Sequence, residues 1–255
     1  MPQEQRSRGG GQERSLCLHA GGGQRSRPRR PAGLRETSTP VSRRARPGQR
    51  ARGPDGAQLL RAARLFLAGI GETELARDLR GTPARVAQAW RGEIVSGYRA
   101  DPLRILSKTI PAREHDMVVV RDIPFISVCV HHLLPFHGTA HVAYLPGDRL
   151  VGLSKITRAV DALSRRLQLQ ERLTRQVVDA LGTALHPLGA ACRIEAEHLC
   201  MSIRGARVKG SRVVTSAYAG VFGTSPALRA EFLRLTGAPA RRPGSAVAGV
   251  IKYRT

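Results

Sequence analysis

Residues 117–145 read MVVVRDIPFISVCVHHLLPFHGTAHVAYL. The opening run, Met117 to Ile123, is rich in β-branched side chains, which fit a pleated surface better than a helix. The closing run, His137 to Leu145, sets Gly138, Ala140 and Val142 against Thr139, His141 and Ala143, the period of two expected of a half-buried strand. Between the two strands lies Cys129-Val-His-His132. A pair of strands thus brackets a cluster of side chains able to bind a metal.

Outward from this pair the pattern alternates between helix and strand. Ser154 can cap a helix reaching about Arg166, and Leu173, Val177, Val178 and Leu181 stand at helical spacing between Gln170 and His186. Ala190 to Glu197 and Val213 to Phe222 read as further strands, and Pro226 to Leu235 as a closing helix. Toward the N-terminus, Leu59, Leu60, Ala63, Leu65, Phe66 and Leu67 suit a helix from Asp55, ended by Gly69 and Gly71. A second helix opens with Thr82 as N-cap and Pro83 at the first helical position, and runs to about Ser96. Residues 98–116 lack periodicity and read as loop with a short strand. The sum is an α+β domain with a mainly antiparallel sheet.

Composition sets the limits of that domain. Before Asp55 there are 13 Arg against the acids Glu4, Glu13 and Glu36, roughly +10, with much Gly, Pro and Ser. Such a segment buries too little apolar surface to offset its ordering entropy. Residues 1–54 are therefore expected to be a disordered tail, 55–236 the folded domain, and 237–255 a second flexible end. The whole 255-residue chain carries a formal charge of +23, compatible with nucleic acid, a membrane surface or a polyanionic small substrate as partner. The basic tail lacks the stacking aromatics that single-stranded nucleic acid favours, so it reads as a solvated extension. There is no run of some 18 apolar residues that would span a membrane, and no apolar signal core at the N-terminus, so the expected location is cytoplasmic. The four cysteines, Cys17, Cys129, Cys192 and Cys200, point to metal or catalytic use rather than a disulfide framework.

Cys129, His132 and the distant Cys200 make a donor set of two thiols and an imidazole, which suits Zn2+ and leaves a fourth tetrahedral position for water. Water held there has its pKa lowered toward neutrality and becomes a nucleophile. Spacing alone leaves two buried cysteines and a satisfied histidine pair as an equal alternative. His131 adjoins one presumed ligand, and His198 lies two residues before another; in extended chain His198 and Cys200 would share a face. Either histidine would suit proton transfer near neutral pH, whereas His137, His141 and His186 read as supporting or surface imidazoles. Lys155 and Arg158 on the helix opening at Ser154, Arg204 after Cys200, and Arg85 could hold a phosphate chain, aided by a helix N-terminus. Glu171 either favours a helix dipole or accepts paired hydrogen bonds from guanine N1–H and its exocyclic amine.

Five blocks now stand in order: Gly81-Thr-Pro-Ala-Arg-Val86, Val128-Cys-Val-His-His-Leu-Leu-Pro-Phe-His-Gly138, Gly152-Leu-Ser-Lys-Ile156, Gln168-Leu-Gln-Glu-Arg-Leu-Thr174 and His198-Leu-Cys-Met-Ser-Ile-Arg-Gly205. Together, over about residues 57–236, they resemble GTP cyclohydrolase I. The resemblance implies a tunnelling fold, in which subunits join antiparallel sheets into barrels within a toroidal homodecamer with sites between subunits. It implies Cys129, His132 and Cys200 as zinc ligands, His198 as the acid that protonates purine N7, and His131 as a proton carrier or substrate contact near the ribose. Glu171 would read guanine, aided by backbone near Gln170, and Ser154, Lys155, Arg158, Arg204 and Arg85 would hold the triphosphate. The implied reaction opens the purine at C8, releases formate, and rearranges the ribose to give 7,8-dihydroneopterin triphosphate.

The chain departs from that pattern in three places. Val130 stands where the family usually has Glu, Gln88 where many members carry Lys, and Ala217-Tyr-Ala219 replaces a Thr-containing run. Loss of a carboxylate beside the metal removes an acceptor that could orient a histidine or a hydroxyl. Two alternatives to the complete enzyme therefore stand: a specialised paralogue that stops after ring opening or takes a modified nucleotide, and a nucleic-acid-binding protein with a structural zinc.

Overall fold

The computed structural model describes residues 53–72 and 77–237. The tails expected at 1–54 and 237–255 lie outside the described residues except for Gly53, Pro54 and Gly237.

The N-terminal helix α1 (Gly56–Gly69) begins where the Asp55 carboxylate accepts from the N–H groups of Ala57 and Gln58, filling two of the donors that a helix start leaves open. Helix α2 (Thr82–Ala89) carries Pro83 in its first turn, as expected, but its N-cap is Gly81 at φ 78° rather than Thr82. The Thr82 hydroxyl accepts from Arg85 instead. The expected continuation to Ser96 is present as a π turn, Trp90–Ile94, followed by a 3₁₀ turn, Ser96–Arg99. The stretch expected to be loop holds a short helix, α3 (Pro102–Leu106), capped by the Asp101 side chain, and the strand β1 (Thr109–Pro111). The Asp-Pro pair at 101–102 is the signal for α3.

The central pair is longer than its periodic runs. Strand β2 (Val118–Cys129) pairs antiparallel with β3 (Pro135–Leu145), with a bulge between Val120 and Ile123. At that bulge Asp122 sits at φ 57°. Strand β4 (Arg149–Val151) pairs with β1, and its Val151 N–H donates to the Tyr144 hydroxyl. There follow α4 (Leu153–Ser164), the two-residue strand β5 (Leu167–Gln168) and α5 (Gln170–Leu185). The chain closes with β6 (Gly189–His198), the single turn α6 (Leu199–Ser202), β7 (Val213–Gly220), α7 (Val221–Thr224) and α8 (Pro226–Thr236). The main sheet runs β5-β2-β3-β6-β7, antiparallel except between β2 and β5. The architecture is α+β, as expected.

One face of the sheet presents Phe125, Phe136, Ala140, Val142, Tyr144 and Ile194 to Ile156, Val160, Leu173, Val177 and Leu181 of α4 and α5. Each large side chain removed from water there contributes about 1.5–3 kcal/mol. On the other face Ala143 and Ala191 pack with Phe222 and Phe232 of α7 and α8. This second cover corrects the expectation of a half-buried strand at 137–145, since His141, Val142 and Ala143 are all buried. Close approach of β3 to β6 depends on Gly138, where a Cβ would collide with the Glu195 carbonyl and the Ala196 backbone. Among the described residues no helix is long and apolar enough to cross a membrane.

Candidate active site

Cys129 is the last residue of β2, and the turn after it is tied on both sides. Its N–H donates to the Leu134 carbonyl at 2.9 Å and its carbonyl accepts from Leu133 at 3.0 Å. The Val130 N–H donates to the Gln168 carbonyl of β5 at 3.1 Å, anchoring the turn to the sheet edge. Leu133 takes up φ 55° to close the loop.

Cys200 arrives by a different route from the one expected. Strand geometry ends at His198, and the chain turns into α6, so alternation of faces does not apply between His198 and Cys200. The helical turn carries Cys200 to the β2 end, where Cys129 Sγ, Cys200 Sγ and a ring nitrogen of His132 lie within 4.8 Å of one another. Ligands about 2.0–2.3 Å from a tetrahedral zinc stand roughly 3.5–3.8 Å apart, so shifts of about an ångström would close the set. The donors thus fit a soft divalent cation. Burial and the neighbouring Cys129 sulfur push the Cys200 thiol above its ordinary pKa. A bound cation reverses that, because a coordinating thiol loses its proton outright.

His131 lies beside this group, its Nδ1 3.8 Å from Cys129 Sγ and its ring edge-on to His132. His198 is held more firmly. Its ring lies parallel to Phe136 at 4.5 Å between centroids, and its Nε2 is 2.7 Å from Gln170 Oε1. Burial lowers its pKa, and the Glu171 carboxylate, in the first turn of α5, opposes that shift. Gln170 is buried, with its amide nitrogen donating to the carbonyls of Ile194 and Val213 and to Thr215 Oγ1. Phe136, Thr174 and Thr215 were not singled out from the sequence; Thr174 stands one helical turn after Gln170, a spacing that could have marked it.

The basic residues are more dispersed. Arg204 is exposed and close enough to lower the Cys200 pKa. Ser154 is the second residue of α4, whose N-cap is Gly152, which corrects the expected cap. It is exposed and Lys155 half-buried. Neither Gly152 nor Leu169, the N-cap of α5, makes a side-chain cap bond, so both helix starts keep backbone donors for an anion. Arg158 lines a cleft of about 410 Å³ with Arg99, Ser96 and Asp161. Arg85 is not brought to the cysteine cluster; its guanidinium donates to the Arg80 carbonyl and the Thr82 hydroxyl.

Comparison with known proteins places the chain in a family. The family model described as GTP cyclohydrolase I matches residues 59–237. A protein named GTP cyclohydrolase 1 from Pelotomaculum thermopropionicum is 47% identical over 182 residues, 71% of this chain and 96% of its own. Proteins of the same name from Chlorobium chlorochromatii and Deinococcus radiodurans are 50% and 48% identical over 171 residues, 67% of this chain and 76% and 79% of theirs. Among solved structures, an archaeosine synthase QueF-Like chain aligns with 42% of this chain and 97% of its own, at 18% identity and a TM-score of 0.36, too slight a likeness to bear on the fold. The chain is an enzyme and belongs to the GTP cyclohydrolase I family.

Proposed function

We propose that this chain hydrolyses GTP at C8 of the guanine ring, releases formate and forms 7,8-dihydroneopterin triphosphate. The observation that carries the reading is the convergence of Cys129, His132 and Cys200 beside His198 and Glu171. Cys129, His132 and Cys200 would hold Zn2+, which when bound supplies a Lewis acid that makes water nucleophilic near neutral pH. Glu171 accepts from guanine N1–H and the exocyclic amine, with backbone N–H groups at the open start of α5 beside it. His198 protonates N7 as C8 is attacked, and His131 moves protons during opening and rearrangement of the ribose. Ser154, Lys155, Arg158, Arg204 and Arg85 hold the triphosphate. Arg85 and Arg158 do so in a homodecamer, where a neighbouring copy brings them to the site. The catalytic domain spans 55–236, in a tunnelling fold, within the cytoplasm.

The structural-zinc, nucleic-acid reading requires a fourth protein ligand. His198 is the only histidine close enough in the chain to Cys200 to serve, and among the described residues the donor atoms that converge are those of Cys129, His132 and Cys200 without it, which favours the enzyme. Incubation of zinc-loaded protein with GTP is the test: formate and a product oxidising to fluorescent neopterin are expected in equal amounts. Absence of both would overturn the reading. Formate without neopterin would assign the chain to a paralogue halted after ring opening, and Val130→Glu would then be the change to restore neopterin.

A further inference from the structure

The amide of Gln170 can be oriented without ambiguity by following the hydroxyl protons around it. Thr174 Oγ1 lies 2.8 Å from the main-chain carbonyl oxygen of Gln170. A carbonyl only accepts, so the Thr174 proton is spent there. Thr174 and Thr215 hydroxyls are 2.6 Å apart; with the Thr174 proton committed, Thr215 must donate to Thr174. Thr215 Oγ1 can then offer only a lone pair to the Gln170 side chain, 3.2 Å away. The carbonyls of Ile194 and Val213, at 3.2 and 2.9 Å, are acceptors as well. Three acceptors around one end of a buried carboxamide identify that end as the NH2 group. The opposite end is therefore the oxygen, and it faces His198 Nε2 at 2.7 Å.

We propose that Gln170 is a positioning residue for the reaction: its oxygen accepts from His198 Nε2, holds the ring as the Nε2–H tautomer and leaves Nδ1 as the nitrogen with the open lone pair. This rests on the reading of His198 as the group that protonates the purine. An oxygen acceptor at Nε2 serves both the neutral ring and the imidazolium, since Nε2 bears hydrogen in each. Stacking on Phe136 fixes the ring plane, and Gln170 fixes rotation within that plane. A glutamine fits this place where a glutamate would not: a carboxylate would face the Ile194 and Val213 carbonyls with no hydrogen to offer them.

The test reads the tautomer directly. The full-length, zinc-loaded protein is labelled with ¹⁵N-histidine, and His198 is assigned in solid-state spectra by its loss in His198→Asn. With the ring neutral, nitrogen shifts should show hydrogen on Nε2 and none on Nδ1. Hydrogen on Nδ1 in the wild type would overturn the proposal, whatever any variant does. In Gln170→Leu both tautomers should appear, and kcat for GTP should fall about 100-fold with KM changed less than about threefold. A Gln170→Leu enzyme with a raised KM and unchanged kcat would also overturn it, by assigning the side chain to substrate binding. Failure of the wild type to convert GTP would sink the functional reading and with it the role of Gln170 in the reaction, whereas the tautomer, measured without turnover, is overturned only by hydrogen on Nδ1.

Discussion

Phe136 and His198 face each other across strands β3 and β6 as a register pair, with rings 4° from parallel and centroids 4.5 Å apart. Phe136 is fully buried and also meets Phe125 edge-on, so the imidazole rests on a wall belonging to the core. Phe136→Leu keeps an apolar side chain of similar size but removes the flat surface. It should cost about 0.5–1.5 kcal/mol of stability and lower kcat more than it changes KM, measured by denaturant unfolding and steady-state kinetics at one pH.

Metal content checks the donor set. Cys200→Ser should reduce bound zinc from one per chain to well below that and abolish formate release, read by elemental analysis of dialysed protein. Cys192→Ala should leave zinc unchanged, because Cys192 is fully buried in β6 and burial pushes its thiol pKa far up. Equal zinc loss in both variants would contradict the ligand assignment.

Replacing the Glu171 carboxylate tests base recognition. Glu171→Gln retains the shape but presents an amide whose NH2 meets guanine donors. Loss of hydrogen bonds to a charged acceptor, about 1.5–3 kcal/mol, should lower kcat/KM for GTP roughly 10- to 150-fold. Stability should hardly change, since Glu171 is exposed.

His141 predicts a pH dependence of stability away from the active site. It is buried, and its Nδ1 accepts from the Asp122 N–H at 3.2 Å. Its pKa is lowered from 6.5, chiefly by burial; Asp122 and Glu195 oppose the shift, while Arg193 and Arg121 reinforce it. The folded state therefore binds the His141 proton less readily than the unfolded chain, so stability is full above about pH 6.5 and falls as pH drops toward the folded pKa. His141→Asn, whose carbonyl can accept in place of Nδ1, should flatten that slope in urea unfolding between pH 7 and pH 5.

The period of two over 137–145 and the helical spacing over 170–186 were enough to identify β3 and α5, because both patterns arise between near neighbours in the chain. The short helix α3 leaves no periodic signal in the sequence, its five residues being fewer than two turns. His141 was expected to lie at the surface or in support; it is buried beside Arg121 and Arg193, whose guanidiniums donate to the Leu235 and Thr236 carbonyls of α8, and no property of strand 137–145 announces those neighbours.

Cys129, His132 and Cys200 were legible as a donor set from residue type, and with their neighbouring blocks they mark the family in the sequence itself. The chemistry of a thiol or an imidazole is a property of the residue itself. Which way Gln170 points, which nitrogen of His198 carries hydrogen, and how Cys200 reaches Cys129 were decided only by tertiary structure. Each depends on acceptors and backbone turns supplied by β6, β7 and α6, and hydrogen-bond direction is a property of the surroundings that converge on a side chain, not of its place in the sequence.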